Sequence, residues 1–547
     1  MIKKFFTTCL IFISIFQAAN GQKTKQPKLV VGIVVDQMRY DYLEKYQAKY
    51  SQKGFLRLKQ QGFECSNTNY NYAPTFTGPG HASIYTGTTP MLHGIVSNDW
   101  YVRKSNDTIY CVSDKNAKSV GAENGSGRMS PNNLLTTTIT DELQLSTQGK
   151  SKVIGISLKD RGAILPAGRA ADAAYWFDGY TGNWISSSWY MTELPEWVKN
   201  FNNKKYPDQY LSKPWTTLLP IEQYTESDND DSPYEMTYKG ETKPVFPHDL
   251  PALKGTSWDL VRRTPFGNTM TKDLAVEAIT AEHMGEDEIT DFLCVSFSAT
   301  DYVGHQFGTN AIELEDTYIR LDKDLGDFFT FLDTKLGKDN YLVFLTADHA
   351  AIPNPQSLID KKLNAGFINA RVINDTVIDF LKQQYGSAKY FSCYDNNQVY
   401  LNRKAIADDK LNLEEVQSKI ALYLSNVVEG IYTCIAGETL KFNVSVDPLM
   451  VRIKNGYHPE RSGDVIVVYA PGWIENLYGG NGKQGTTHGS PYSYDTHVPL
   501  LWMGAGICQG STTRNINITD IAPTLSFILH TNIPNACKGN PITEISK

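Results

Sequence analysis

Four apolar runs of strand length each end at or just before a charged side chain. The four runs, with the charged residues that follow them, are Leu29–Val35 before Asp36, Val153–Leu158 before Lys159, Phe292–Ser298 before Asp301, and Tyr341–Leu345 before Asp348. In open α/β sheets, ligands bind outside the carboxyl ends of the strands. We therefore expect these charged side chains to lie together at one edge of a sheet.

Helical patterns alternate with these strands. Apolar residues recur at three- and four-residue spacing in Tyr40–Gln61, Asn133–Leu145, Thr271–His283 and Ile312–Leu336. Such alternation predicts an α/β fold with a doubly wound, mostly parallel sheet and helices on both of its faces. Two later segments, Asp464–Tyr469 and Pro499–Gly504, also have the composition of core strands.

Two stretches interrupt the alternation. Residues 168–264 are rich in Trp, Tyr, Pro, Asn and Asp, which predicts a loop-rich insertion. Residues 352–455 mix short strands with a helix near Leu413–Leu424, which predicts an inserted cap region. A chain of 547 residues can form one large domain with such insertions, so we expect residues 22–547 to be a single catalytic unit.

The first 21 residues have the features of a secretory signal peptide. Lys3 and Lys4 precede an apolar run from Phe5 to Ala19, and a small residue, Gly21, follows. The run is about 15 residues long, whereas roughly 20 are needed to cross a bilayer as a helix. An uncleaved anchor is the alternative. No later segment is apolar and long enough to span a membrane, so the sequence predicts a secreted, periplasmic protein.

Charge and cysteine content narrow the class of protein further. The formal net charge of −7 becomes more negative when Lys3 and Lys4 leave with the leader, so we expect no nucleic-acid partner. In an oxidising compartment some cysteines pair, and Cys393 with Cys434 is the candidate disulfide. Cys294 lies inside an apolar strand and is expected to be a buried free thiol.

Three aspartates and three histidines have the types and positions of metal ligands. Asp301 and His305 are four residues apart in D-Y-V-G-H, Asp348 and His349 are adjacent, and Asp36 ends another strand. His488 completes the set in G-T-T-H-G. Any one of these histidines alone would more often be an ordinary core or surface residue. Together, the mixed oxygen and nitrogen ligands suit zinc, and other divalent ions remain possible.

Thr77 lies in a turn that is suited to binding an anion. It belongs to A-P-T-F-T-G-P-G-H-A-S-I-Y-T-G, residues 73–87, just before a short helix expected at about Gly80–Tyr85. Backbone N–H groups at a helix start attract anions, and a metal ion makes a bound hydroxyl a better nucleophile. A threonine in a Pro/Gly-rich turn is more often structural, so the neighbouring ligand set is needed for this interpretation.

The ordered motifs resemble the alkaline phosphatase superfamily, and most closely its phosphate-irrepressible, PafA-type branch. The resemblance extends from Val30 to T-D-I-A-P-T-L at residues 519–525. It implies a doubly wound core that holds two zinc ions. One zinc would be bound by Asp301, His305 and His488. The ligands of the other would be Asp36, Asp348, His349 and the Thr77 oxygen.

The same resemblance implies a phosphate-binding group and a reaction. Asn98, in G-I-V-S-N-D-W, resembles the family's asparagine that hydrogen-bonds a phosphoryl oxygen. Lys159 and Arg161, in S-L-K-D-R-G-A, resemble its monoester-type phosphate clamp. The expected activity is hydrolysis of small-molecule phosphate monoesters through a phospho-threonine, by a monomeric enzyme. The alternatives are a nucleotide pyrophosphatase or phosphodiesterase, whose relatives lack the clamp, and a non-catalytic protein on the same fold.

Departures from better-known relatives narrow the expectation. The nucleophile position carries Thr where many alkaline phosphatases have Ser, so their third metal site is not assumed. The turn T-G-P-G-H also lacks the C-x-P-S-R or S-x-P-S-R pattern of sulfatases. Four other histidines near the motifs complete no ligand set and are expected to be structural: His81, His93, His458 and His497.

Overall fold

The computed structural model describes residues 26–442, 445–476 and 483–546. The predicted signal peptide lies outside these residues. Within them, the largest sheet has ten strands. These strands, labelled in chain order, are β1 (Leu29–Val35), β2 (Phe63–Cys65), β3 (Ser119–Val120), β4 (Val153–Ser157), β5 (Ala173–Asp178), β6 (Asn183–Ser187), β7 (Asp291–Phe297), β8 (Tyr341–Thr346), β9 (Leu500–Gly504) and β10 (Gly510–Thr512).

The four strands predicted from apolar runs are neighbours at the centre of this sheet. Its order is β10-β2-β9-β8-β1-β7-β4-β5-β6-β3. Strand β1 pairs in parallel with β7 and β8, and β7 pairs in parallel with β4. All residues of these four strands are buried, which is expected where helices cover both faces. The α/β fold with a mostly parallel sheet is therefore confirmed.

Helices cover the central sheet, and further helices lie in the inserted region that follows residue 352. The longer ones run over Phe55–Gln61, Thr77–Thr86, Ile139–Ser146, Asp160–Ala167, Glu196–Asn203, Phe266–Ala281, Ala299–Phe307, Ile312–Lys335, Pro355–Asp360, Ala370–Tyr385, Arg403–Asp408, Leu413–Val427, Pro448–Gly456 and Ile521–Leu529. Thr138 and Asp141 form a capping box, so the helix expected from Asn133 begins only at Ile139.

The helix expected over residues 40–61 is broken in the middle. A short turn of helix, Tyr42–Lys45, is followed by a gap before Phe55–Gln61. In the gap, the Asp322 carboxylate accepts hydrogen bonds from the backbone N–H groups of Ser51 and Phe55, at 2.7 and 2.8 Å. A residue 267 positions away thus starts the second helix. Periodicity within the segment carries no signal of such a contact.

The segment 168–264, expected to be loop-rich, begins with two strands of the central sheet. Strand β5 pairs in parallel with β4, and β6 pairs antiparallel with β5. All six residues of β5 are buried. The sequence predicted no strand here because the Trp and Tyr residues of the segment were taken as a sign of a loop-rich insertion. From residue 188 to Thr264 the segment contains turns, short helices and one antiparallel bridge, between Trp215 and His248.

A second, smaller sheet forms the core of the cap, here defined as residues 355–475. Its strands are Phe391–Asp395, Gln398–Leu401, Val465–Tyr469 and Ile431–Ala436, in that spatial order. The expectation that Asp464–Tyr469 returns to the main core is therefore wrong. That strand is apolar because it is buried in a separate core, where Val465 and Val467 pack in one cluster with Leu424.

The proposed Cys393–Cys434 disulfide is also contradicted, since both cysteines are free. They lie in the two outer strands of the cap sheet, with two strands between them. Strands lie about 4.8 Å apart, whereas disulfide-linked Cα atoms lie within about 7 Å of each other. Cys294 is a buried free thiol in β7, as expected.

Candidate active site

The ends of three neighbouring strands bring the carboxylates of the candidate site together. Asp36 follows β1 directly, and Asp348 lies two residues beyond β8. Asp301 follows β7 and lies in the first turn of helix Ala299–Phe307. All three side chains are buried. Because β1 pairs in parallel with both other strands, the three carboxylates lie at the same edge of the sheet.

Two overlapping groups of ligand-type side chains meet at this edge. The donor atoms of Asp36, Asp348 and His349 all lie within 4.8 Å of one another, and so do those of Asp301, His349 and His488. His305 joins the second group, with its Nε2 3.1 Å from Asp301 Oδ1. The six side chains predicted as ligands are therefore contiguous. The resemblance assigned His349 to one ion only, whereas here its ring lies between the two groups and stacks on His488 at 3.4 Å.

The backbone fixes a proton on Nδ1 of all three imidazoles. Nδ1 of His305 lies 2.8 Å from the Thr486 carbonyl, and Nδ1 of His488 lies 2.7 Å from the Thr75 carbonyl. In His349 the corresponding distance, to its neighbour's carbonyl, is 3.1 Å. A carbonyl only accepts, so each Nδ1 carries a proton, which is how metal-binding histidines are commonly held. Burial lowers the pKa of His349 and His488, so their Nε2 atoms present lone pairs. Although burial opposes it, attraction to Asp301 raises the pKa of His305, which favours a proton on its Nε2 as long as no metal ion is bound.

The resulting lone pairs face carboxylate oxygens, which is unfavourable unless a cation lies between them. His349 Nε2 is 3.6 Å from an oxygen of Asp36 and 3.6 Å from one of Asp348. Burial and the charge of Asp301 raise the pKa of Asp36, and burial and the charge of Asp36 raise the pKa of Asp348. Buried like charges that repel in this way are stabilised by a metal ion. The donor set therefore fits divalent metal ions.

Lys159 balances part of this negative charge. Its Nζ lies 2.6 Å from Asp301 Oδ2 and 2.7 Å from Asp36 Oδ2. Although burial opposes it, attraction to Asp301 and then Asp36 raises the pKa of Lys159, so the ammonium is charged. The residue predicted as half of a phosphate clamp thus lies against the carboxylates of the candidate metal site.

Arg161 lies beside a tyrosine. Its Nη1 donates a 2.9 Å hydrogen bond to the Tyr110 hydroxyl, which in turn donates to Asp160. Arg161 and Lys159 line the same cavity, with a volume of about 460 Å³. Tyr110 was not singled out from the sequence, since no motif marks it. It fixes one side of the guanidinium and leaves the remaining N–H groups to other partners.

Thr77 lies at the first position of a buried helix, Thr77–Thr86. This helix begins three residues before the expected one. Thr77 Oγ1 is 3.4 Å from His349 Nε2, so the hydroxyl adjoins the ligand groups. The Gly78 N–H donates to Asn98 Oδ1 at 2.8 Å, which leaves the Asn98 amide N–H₂ as a donor beside Thr77. Orphan N–H groups of the first helical turn add positive potential here.

Gln37 is a member of the site that the sequence interpretation missed. Its backbone N–H donates to Asp348 Oδ1 at 3.2 Å, and its side-chain amide donates to Asp301 Oδ1 at 2.7 Å. The residue has a φ of 64°, which aims both groups inward. A Cβ on Gly304 would lie 2.0 Å from Gln37 Oε1, so the glycine of D-Y-V-G-H makes room for this contact. That glycine was the one available signal.

The four histidines expected to be structural lie outside both ligand groups. His81 bonds the Thr77 carbonyl and Ser296 Oγ, each at 2.9 Å, and so holds the helix that carries Thr77. His93 bonds Ser83 Oγ at 2.9 Å. His497 and His458 contact backbone groups.

Comparison with known proteins identifies the family. A sequence model of the type I phosphodiesterase / nucleotide pyrophosphatase family matches residues 30–491. The chain belongs to this family. Within it, the alkaline phosphatase PafA of Elizabethkingia meningoseptica is 44% identical over 99% of each chain. A crystal structure of wild-type PafA superimposes with a TM-score of 0.92, covering 95% of this chain and 99% of that one.

Another relative carries a different name. A protein of Myroides odoratus named calcium-transporting ATPase is 45% identical over 97% of this chain and 96% of its own. Within the described residues of the present chain, no helix is both long enough and apolar enough to cross a membrane. The resemblance of this chain to PafA-type alkaline phosphatases, which the motifs predicted, is confirmed over nearly its whole length.

Proposed function

We propose that the chain is an alkaline phosphatase that hydrolyses phosphate monoesters by attack of Thr77 at a site holding two zinc ions. The observation that carries the proposal is the position of Thr77. Its hydroxyl adjoins two groups of metal-ligand side chains and, through Gly78, the Asn98 amide. The high identity to PafA over the full length supports the same activity.

The residues present would hold two ions. Asp301, His305 and His488 would bind one, and Asp36, Asp348, His349 and the Thr77 oxygen the other, with His349 adjoining both groups. When bound, zinc ions supply Lewis-acid stabilisation of negative oxygen and make a nearby hydroxyl more acidic. Gln37 would fix the positions of two of these ligands, because its backbone N–H bonds Asp348 and its side-chain amide bonds Asp301.

The protein's own groups position the reaction. Thr77 Oγ1 attacks the phosphorus, and the alcohol leaves with the proton, so that Thr77 becomes phospho-threonine. Water then hydrolyses the phospho-threonine and releases inorganic phosphate. The Asn98 amide donates to a phosphoryl oxygen, and the helix N-terminus stabilises its negative charge. Because charge in such transition states lies on the non-bridging oxygens, positioned donors account for most of the catalysis.

Lys159 and Arg161 are the proposed monoester clamp. A monoester dianion has one more charged oxygen than a diester, and these two cations would bind that oxygen. The contacts of Lys159 with two proposed metal ligands, Asp36 and Asp301, support a position beside the phosphate. The guanidinium can bind two oxygens in a fork, while the ammonium acts as a point charge. Lys159 would share its charge between the phosphate and the carboxylates that it contacts in this structure.

The test is activity toward p-nitrophenyl phosphate and its bis ester before and after removal of metal. We expect the monoester to be preferred, chelation to abolish turnover, and added Zn²⁺ to restore it, because the imidazole beside Thr77, that of His349, is itself a proposed metal ligand. Metal content of the active protein should be close to two ions per chain. Full activity of a metal-free preparation would contradict the two-zinc proposal, and preference for the bis ester would favour a phosphodiesterase.

We further propose secretion to the periplasm as a monomer. The predicted signal peptide at residues 1–21 supports export. N-terminal sequencing of the exported protein would reveal a start near residue 22 if this is correct.

A further inference from the structure

A second cavity opens onto the candidate site from the side of the cap. It has a volume of about 270 Å³, and Asn98, His305 and His488 form the wall that belongs to the active site. We call it the cap cavity. Lys159 and Arg161 line the other cavity, which differs from this one. Asn98 also bonds the Gly78 N–H beside Thr77, so a substrate whose phosphorus lies at Thr77 can place its alcohol portion in the cap cavity.

The lining of the cap cavity is acidic and aromatic. Asp395, Glu475 and Asp495 line it, together with the rings of Trp473 and Tyr494. Within the described part of the chain, no lysine or arginine lines it. An electrostatic field of one sign in a cleft favours ligands of the opposite charge. Aromatic faces add to this preference when the ligand is a cation.

Hydrogen bonds hold the Glu475 carboxylate in place. Glu475 Oε2 accepts hydrogen bonds from the hydroxyls of Tyr394 and Tyr469, at 3.1 and 3.0 Å. Burial, and then repulsion from the charge of Glu475, raise the pKa of Asp395. A cationic group between them would relieve this repulsion.

Asp495 gives a second, independent indication of a ligand. One of its oxygens accepts from the N–H groups of Gly489 and Ser490, at 3.1 and 2.7 Å. The other oxygen, Oδ1, has no hydrogen-bond partner, and the side chain is 1% exposed. A buried carboxylate oxygen without a partner is costly, and burial raises the pKa of Asp495 to about 7, so a positive charge in the adjoining cavity would stabilise the ionised carboxylate.

A hairpin turn fixes the cap against the active site. Asn396 and Asn397 have φ of 49° and 62°, left-handed values that asparagine tolerates and that fit a tight two-residue turn. The Asn396 side chain donates to the Asp99 carbonyl at 3.0 Å, next to Asn98. Asp395 is therefore held at a fixed place near the phosphoryl site.

We propose that the cap cavity binds the alcohol portion of the substrate and selects alcohols that carry an alkylammonium group over neutral or anionic ones. This inference rests on the proposed phosphomonoesterase function. It names the substrate class that the site prefers, because an acidic, aromatic cavity attracts an organic cation and repels a carboxylate or a second phosphate.

Three monoesters that differ in the charge of the alcohol test the inference. Phosphocholine carries a quaternary ammonium, 3,3-dimethylbutyl phosphate is its neutral isostere, and phosphoglycolate carries a carboxylate. We expect kcat/KM of the wild type to be about tenfold higher for phosphocholine than for the neutral isostere, and lowest for phosphoglycolate. Choline should also inhibit more strongly than 3,3-dimethylbutanol.

Variants assign the preference to the cavity. The pair Glu475→Gln with Asp395→Asn removes two charges and keeps the acceptors, so it should lower the phosphocholine preference to within about threefold. Asp408→Asn removes an exposed carboxylate of the cap that does not line the cavity, and should keep the wild-type preference.

Failure of the inference is distinguishable from failure of the proposed function. A wild type that hydrolyses p-nitrophenyl phosphate but treats the three monoesters alike, or prefers phosphoglycolate, would overturn the inference alone. An unchanged preference in the double variant would overturn it too. A wild type that hydrolyses no monoester would contradict both.

Discussion

At the scale of single residues, the same side chains have different partners in the structure from those that the family resemblance implies. Lys159 contacts Asp36 and Asp301, whereas the resemblance assigns it to the substrate. Arg161 has the Tyr110 hydroxyl as a partner and lines the open cavity. The proposed clamp therefore requires that Lys159 turns to the phosphate once metal ions neutralise the carboxylates that it contacts here.

The clamp gives a prediction about specificity. Loss of one preorganised donor commonly costs about 10²–10³ in rate. The double variant Lys159→Ala with Arg161→Ala should therefore shift the ratio of monoester to diester kcat/KM toward diesters by on the order of 10³, if the two losses partly overlap. Diesters have no third charged oxygen to lose. The ratio is measured with p-nitrophenyl phosphate and its bis ester, and a ratio that stays at the wild-type value would mean that the two cations are only structural.

At the scale of elements, the four central strands were predicted well and helix starts less well. The bounds of β1 and of helix Ile312–Lys335 agree with the sequence pattern within one residue, since each element is long and strongly periodic. The helix that carries Thr77 begins earlier than expected, because His81 bonds the Thr77 carbonyl within its first turn. The broken helix at residues 40–61 depends on Asp322, which is distant in sequence.

Asp322 gives a prediction about stability. Its buried carboxylate accepts from two backbone N–H groups, and removing it leaves those donors unpaired. Asp322→Ala should lower the free energy of unfolding by about 2–4 kcal/mol. Thermal unfolding followed by circular dichroism should show a midpoint several degrees lower. Asp327→Ala, at an exposed position of the same helix, is the matched control and should unfold like the wild type; equal midpoints for the two variants would exclude the capping role.

At the scale of the whole molecule, the separation between the main hydrophobic core and the core of the cap determines what could be predicted. The four central strands were predictable because they are apolar runs that end in charged residues, and this same pattern located four members of the site: Asp36, Lys159, Asp301 and Asp348. The cap sheet was not, because Val465–Tyr469 is as apolar as a strand of the main core. Gln37 and Tyr110 were missed for another reason: they act by contacts across the fold, and neither lies in a motif.

The position of the cap also explains why the proposed preference for alkylammonium alcohols could not be predicted from the sequence. Asp395, Glu475 and Asp495 are spread over a hundred residues and meet only because the cap packs against the end of the central sheet. The metal ligands, in contrast, follow strands that are neighbours in one sheet. The site's chemistry was therefore predictable from local patterns, and its selectivity was not.

The central claim is that Thr77 is the nucleophile of a phosphomonoesterase, and acid quenching during turnover tests it most directly. With a ³²P-labelled monoester, we expect label on Thr77 in the quenched wild type and in Thr77→Ser, since both hydroxyls can attack phosphorus. Thr77→Ala should carry no label and retain almost no activity. Label on another residue, or a Thr77→Ala variant that turns over at the wild-type rate, would contradict the account.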